Sequence, residues 1–581
     1  VTYAAYLNAL IDGRPRRNDP YTGRDDQSGA PQTESYFSIQ FVPPLVTASV
    51  ARLLRLDASL SLVVLAAFSA LACALALFFA LNSILRDARL ASAGTLATLF
   101  LASTHQVLTY ALRLGSSNNY VPFLRLYVPA AAAPIFFAYL ALVWLALTHT
   151  RRASLVAACG AGVAFALLVF SYFYLWTTAA AWSLTLFALH IFAHTGERRR
   201  LLARFAIILC FALAALAPYA VMLSHRSTNT DAGLLLTHSH QPDPFRLAEI
   251  AGAATLLALY IAARRGLVSP RARETLFAAA CALAPFIVFN QQIVTGRSLQ
   301  PFHFGLFSAN YLAALGAFIA AALIFRAHAA QRELDEAATR NEGDKAASPR
   351  TRDQVARFAL VVATLALASG AVETAIACHT RFAANALRDD ARPAALRLAA
   401  IGRISSDQNF NASRPVLDTR SLVFAPDFTV ADYLPTVAPQ PVLWSPHMFN
   451  HPGSTLAEDH ERLMTWLYFA GENFDDIDAA HLDATNGRRR YLVAALISRE
   501  RDNSNLRAGW HPIATEEVRA ALDDYARFAA TFSRERAARF TLSYVLLDSS
   551  AQFDPTNLER FYERDAGEQL GRFVLYRVRL R

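Results

Sequence analysis

ASLSLVVLAAFSALACALALFFALNSI, residues 58–84, carries no Asp, Glu, Lys or Arg. About 20 apolar residues are enough to take a helix across the hydrocarbon core of a bilayer, so this run alone sets the class of the chain. Nine further segments meet or approach that length: 90–109, 128–148, 154–171, 176–194, 205–223, 246–263, 274–291, 305–326 and 356–377. The least apolar is 90–109, whose second half holds Ser103, Thr104, His105 and Gln106. Of 581 residues 54% are hydrophobic and 17% charged, well short of the roughly 25% charged residues of a soluble domain.

Charge sorts along the chain. The formal excess of +9 does not mark a nucleic-acid surface, because residues 381–581 hold 25 Arg against 27 acids and the surplus lies in the apolar first two-thirds. Within that part, alternate connections are rich in cations: Arg86/Arg89, Arg151/Arg152, Arg198–Arg200 with Arg204, Arg264/Arg265/Arg271/Arg273, and the stretch from Arg326 to Arg357. These hold 19 Lys and Arg; the opposite short loops hold Arg113, Arg125, Arg226 and Arg297. The asymmetry assigns the Arg-rich loops to the cytoplasm and residues 1–57 and 378–581 to the other side. A further helix before residue 1 would make eleven crossings. Five cysteines sit in or at the end of apolar runs, with no spacing that suggests a disulfide or metal framework.

The expected architecture is a polytopic α-helical membrane protein with a C-terminal extracytoplasmic α/β domain. Its parts are an acidic first outer loop with interfacial helices (1–57), a bundle of nine helices (58–326), a polar linker, partly disordered (327–355), a last span (356–377) and the outer domain (378–581). In the outer domain, β-rich runs at Leu422–Ala425, Pro441–Trp444, Tyr491–Ile497, Tyr544–Asp548 and Phe573–Val578 alternate with helical patterns at Thr455–Phe469 and Thr515–Arg534. Such alternation predicts an α/β layer with a partly parallel sheet. No phosphate-binding glycine loop or nucleophile elbow is present. VLWSPHMFNH, residues 442–451, offers Trp444, His447 and His451 with no carboxylate at suitable spacing, which predicts a structural or membrane-facing loop rather than a catalytic one.

Two polar stretches carry the candidate chemistry. The first, from Ile11 to Pro44, places Asp12, Asp19, Asp25, Asp26 and Glu34 among Arg14, Arg16, Arg17 and Arg24. Pro20 holds Asp19 extended in a turn that also presents Tyr21. A carboxylate fixed there serves as a general base or, as a hard oxygen donor, as a ligand for Mg²⁺ or Mn²⁺. The plain alternative is a loop whose acids pair with its own arginines. The second stretch holds Asn290, Gln291, Gln292, Gly296, Arg297, Gln300 and His303 at the outer junction of two spans. Amides at a membrane boundary imply a polar pocket or a satisfied helix break, and Arg297 and His303 suit a phosphate. Arg125, at another outer helix entrance, suits a lipid phosphate or snorkels to the interface. Tyr172, Tyr174 and Trp176 mark an outer interface, and His238, His240 and Asp243 form a weak metal pattern.

With Asn18-Asp19-Pro20-Tyr21 in the first outer loop and Glu34 before Tyr36-Phe37, the layout resembles the GT-C superfamily of integral-membrane glycosyltransferases, which includes protein O-mannosyltransferase-like and aminoarabinose-transferase-like enzymes. The chain departs from that pattern in lacking an adjacent Asp-Glu pair or an Asp-x-Asp motif. The resemblance implies a GT-C-like helix bundle in a bacterial inner membrane. It also implies an inverting transfer of sugar from a polyprenyl-phosphate donor to an acceptor at the outer face. Asp19 and Glu34 would then be the catalytic acids and candidate ligands of a divalent cation. Asn290, Gln291, Gln292, Arg297, Gln300, His303, Arg125 and Tyr21 would meet the substrate or its phosphate, with membrane lipid as partner and neither nucleic acid nor organic cofactor. A transporter or flippase is the competing reading, disfavoured because polar groups gather at helix ends rather than mid-membrane. A non-catalytic scaffold with an outer binding domain is the third.

Overall fold

The computed structural model describes residues 1–26, 33–104, 127–149, 151–226, 236–238, 240–243, 245–299, 301–340, 349–407, 417–451, 453–484, 487–498 and 514–581. They form two compact units. One comprises Val1–Leu62, Met222–Thr237 and Arg381–Arg581; the other comprises Val63–Val221 and His238–Thr380. The long helix Pro349–Asp407 runs through the division after Thr380.

Among the described residues, nine helices are long and apolar enough to cross a membrane: Ala58–Leu85, Tyr127–Thr148, Arg152–Val169, Phe173–Ala193, Thr195–Ser224, Leu247–Arg264, Arg273–Thr295, Pro301–Asp335 and the stretch Arg352–Gly402. The chain is an integral membrane protein with a polytopic helical bundle. One expected crossing is described only in part. At 90–109 the helix Ala88–Leu96, capped by the Asp87 carboxylate, passes into a π-helical turn at Ala97–Leu101. That apolar stretch is too short to span unaided, and the polar half from His105 lies outside the described residues.

Burial follows composition inside the membrane unit. Phe68, Leu71, Leu75 and Phe79 of the first span stay exposed, as a lipid-facing surface requires. The interior is aromatic: the Phe277 ring lies 5.7 Å from Trp144 and 5.2 Å from Trp182. Helices close where side chains vanish. A Cβ on Gly252 would stand 2.3 Å from the Ala282 carbonyl, and one on Gly316 would stand 2.9 Å from that of Ala278. All five cysteines are free; Cys73 and Cys281 are buried, while Cys159, Cys210 and Cys378 are exposed.

The other unit is an α/β domain. Its strands are β1 (Leu422–Phe424), β2 (Leu542–Asp548), β3 (Tyr562–Arg564), β4 (Glu568–Leu570) and β5 (Phe573–Leu580). They order as β1-β2-β5-β3, with β4 also on β5. Only β1 and β2 run parallel, with Phe424 opposite Val545; the remaining pairs are antiparallel, so the sheet is partly parallel as expected. Helix Leu456–Phe469 starts where the Thr455 hydroxyl accepts the Glu458 amide, and it buries Leu463, Trp466, Leu467 and Phe469 against the sheet core. The opening helix Thr2–Ile11 and Tyr21 contribute Ala5 and the Tyr21 ring to that core.

Three expected elements change. Tyr491–Ile497 lies in helix Gly487–Ser498, where Leu492, Val493 and Leu496 are buried at helical spacing. Periodicity cannot separate strand from helix in so short an apolar run. Pro441–Trp444 makes a single bridge, Val442 to Val423, because Pro441 has no amide to extend a ladder. The helix expected over Thr515–Arg534 ends at Ala530, and a separate helix Arg534–Arg539 follows.

Candidate functional site

In the α/β unit the opening segment folds into a closed knot. Asp19 N–H donates to the Arg24 carbonyl at 2.8 Å, and Gly23 N–H donates back to the Asp19 carbonyl at 3.0 Å. Gly23, at φ +75°, is required there: its conformation is left-handed and a Cβ would collide with the Thr419 carbonyl. The Asp19 carboxylate is fully buried. It accepts from the amides of Tyr21 (2.8 Å) and Thr22 (3.2 Å) and from the Thr22 hydroxyl (2.8 Å). Gly453 packs so closely that a Cβ on it would lie 2.2 Å from the outer Asp19 oxygen.

Asp25, Asp26 and Glu34 each have a guanidinium. Arg14 reaches Asp25 at 3.4 Å and holds the Asp19 and Arg24 carbonyls, and Arg17 meets Asp26 at 2.9 Å. Glu34 is clasped by both Arg16 nitrogens at 2.6 and 2.7 Å and accepts the Ser38 hydroxyl at 2.6 Å. Arg24 pairs with Glu458 on the Leu456–Phe469 helix, and Val442 N–H donates to the Tyr21 carbonyl at 3.0 Å, which fastens the knot to the rest of the unit.

Beside the knot lies a pair that the sequence spacing concealed. His447 Nδ1 is 2.7 Å from Asp432 Oδ2, a carboxylate fifteen positions upstream; it corrects the reading of 442–451 as a loop with no acidic partner. Burial alone would raise the Asp432 carboxyl, but the His447 imidazole beside it holds it below its ordinary value. His447 is 42% exposed. His451 is the opposite case. Fully buried, it stacks on Phe37 (4.6 Å, 8°), packs against Tyr21 (5.3 Å) and meets the Thr2 hydroxyl through Nε2 at 2.9 Å. Burial pushes its imidazole down to about 4. Burial, then the Asp432 charge, raises the Tyr21 phenol.

The same unit contains a cleft of about 1170 Å³. Asp12 and Asp25 face it from the opening segment; Asp19 and Glu34 do not.

In the membrane unit, the amide stretch is divided in its roles. Asn290 donates to Glu249 at 2.9 Å and accepts the Asp243 amide at 3.1 Å, while Gln292 donates to the Gln241 carbonyl at 3.2 Å. Both clip the start of helix Leu247–Arg264 to the end of helix Arg273–Asn290. Gly296, at φ +68°, ends the turn Gln292–Thr295 and leaves Arg297 exposed. Among the described residues no carboxylate pairs with Arg297. Gln291 is half-buried. His303 packs in an aromatic nest, 4.9 Å from Tyr174 and 5.2 Å from Phe307. Tyr172 and Tyr174, expected at the lipid interface, are buried in that nest. Arg125 and Gln300 lie outside the described residues. His240 Nδ1 faces the Ile293 carbonyl and Asp243 pairs with Arg246, and no cluster of three metal-ligating side chains occurs among the described residues. One carboxylate inside a span escaped the sequence reading: Glu373, buried, accepts the Ser103 hydroxyl.

No family model and no curated protein matches the chain. Among solved structures, it is similar to the archaeal oligosaccharyltransferase AglB from Archaeoglobus fulgidus, in complex with an inhibitory peptide and a dolichol-phosphate, at 12% identity and a TM-score of 0.43. The match covers 94% of this chain and 65% of that one, so the chain spans about two-thirds of the protein it resembles.

Proposed function

We propose that the chain is an integral-membrane glycosyltransferase that moves a sugar from a polyprenyl-phosphate donor to an acceptor hydroxyl or amine. In an inverting transfer the acceptor attacks the anomeric carbon, the bond to the lipid phosphate breaks with its electron pair, and the acceptor proton passes to a carboxylate. What supports the reading is the state of the acidic segment. It is a rigid knot built into a folded α/β unit directly before the first long apolar helix, and two of its acids face open space.

Asp19 and Glu34 act in this reading through the fold. Each accepts from three protein donors that engage both of its oxygens, and no step is routed through a metal. Asp19 holds the turn that sets Asp25, and the proton acceptor is one of the cleft acids, Asp12 or Asp25. Arg297, exposed in the membrane unit and among the described residues without a carboxylate, suits a lipid phosphate.

The test is transfer of radiolabelled sugar from a polyprenyl-phosphate donor by the full chain in proteoliposomes. Loss of general-base assistance costs roughly 10²–10⁴-fold. Asp12→Asn or Asp25→Asn should lower kcat by that order with insertion intact. A doubly substituted protein that transfers sugar at the wild-type rate defeats the proposal.

A further inference from the structure

The cleft that Asp12 and Asp25 face is lined with an unusual number of cations. Six arginines converge on it from separate elements: Arg14 and Arg24 from the knot, Arg52 from helix Val42–Leu54, Arg420 before β1, Arg462 from helix Leu456–Phe469, and Arg539 at the end of helix Arg534–Arg539. Chance does not gather six like charges without reason, since their mutual repulsion opposes folding.

Four carboxylates answer them. Asp25 pairs with Arg14, Glu458 serves both Arg24 and Arg462, Glu461 meets Arg539 at 2.6 Å, and Asp12 lies in the wall. The buried Asp19 carboxylate also acts on Arg14 and Arg462, so one formal positive charge is left over. Arg52 turns part of its guanidinium to the Leu10 and Ile11 carbonyls, where it caps the end of helix Thr2–Ile11. Arg420 is exposed, and among the described residues its side chain meets no carboxylate.

Preorganisation is the second feature. Arg14 and Arg462 are more than nine-tenths buried, fixed by the Asp19, Arg24 and Leu443 carbonyls, and Arg462 also lies over the Phe540 ring at 4.6 Å. Their entropy is lost in folding, so a ligand need not order them.

We infer that this cleft binds a phosphoryl group, free or carried on a lipid headgroup. An anionic phosphoryl group matches the remaining positive charge, and its several oxygens suit the planar fork of the exposed Arg420. Where the transfer reading holds, the inference names the chemistry of a ligand at the same site. The two are separable: binding is read at equilibrium, so it survives a chain that transfers no sugar, and transfer survives a chain that binds no phosphate.

The experiment is isothermal titration of the full chain in phosphatidylcholine nanodiscs with inorganic pyrophosphate, at low and at physiological salt. Saturable binding is expected, weakened at least tenfold by Arg420→Gln and less by Arg420→Lys, which keeps the charge but not the fork. Arg420 is exposed and no described side-chain contact is lost, so these variants keep the fold. Repeating the titration in nanodiscs doped with phosphatidic acid separates the sources. Lost pyrophosphate binding assigns the cleft to a lipid headgroup; retained binding assigns it to a soluble phosphate. No saturable binding in either bilayer, with no effect of the dopant, overturns the inference, as does pyrophosphate binding that Arg420→Gln leaves unchanged.

Discussion

The opening knot and the 290–303 stretch are both polar, both flank apolar helices, and both carry arginine, yet they are built on opposite principles. In the knot, Arg14, Arg16, Arg17 and Arg24 each have a carboxylate, and both Asp19 oxygens accept from amides or a hydroxyl. At 290–303 the amides of Asn290 and Gln292 are tied to neighbouring residues, while Arg297 is exposed and, among the described residues, has no carboxylate. A dense cluster of charge is therefore framework when its members satisfy one another. An isolated, exposed cation beside satisfied neighbours is a group that a ligand can still reach. The arginine cleft combines the two, with buried, fixed cations and an exposed one, Arg420.

The comparison breaks first at Glu34. Arg16→Ala would strand a buried carboxylate, and removing one partner of a buried pair costs about 3 kcal/mol. Thermal unfolding of the full chain in detergent, followed by tryptophan fluorescence, should show a clear drop in midpoint. An unchanged midpoint would mean the knot is not framework.

A comparable effect is expected from pH at His451. Its folded value is about 4, below the ordinary 6.5 of the free ring, so the folded state resists the proton that the unfolded chain accepts. Stability should be complete above pH 6.5 and fall as pH drops toward 4, by roughly 3 kcal/mol in all. Asp432, held below its ordinary value, lends stability that disappears only at more acid pH, so the two windows are distinct. His451→Phe should flatten the slope between pH 6.5 and 4; a slope that persists places its origin elsewhere.

The smallest expected stability effect sharpens the contrast. Arg297→Ala removes an exposed side chain and should shift stability by less than about 0.5 kcal/mol, while raising KM for a lipid-phosphate donor several-fold. A midpoint loss as large as that of Arg16→Ala would show that Arg297, too, belongs to the framework.

Much of this architecture is legible in sequence because membrane spans are written as long apolar runs, and nine of the ten expected runs stand as long apolar helices. Strands β1, β2 and β5 and helix Leu456–Phe469 were equally readable from local pattern. The segment 491–497 was not, since a run that short reads the same for either element.

Apolar length and charge sign are properties of single segments, and with them the sequence determined the helical bundle and the separate α/β composition after residue 380. Pairing is a property of three-dimensional neighbours. Only the tertiary structure decided that Asp19 is spent on peptide amides, that Glu34 belongs to Arg16, that Asp432 stands behind His447, and that six arginines scattered from 14 to 539 share one cleft. A side chain's chemistry is set by which donors and charges surround it after burial, and residues hundreds of positions apart supply them.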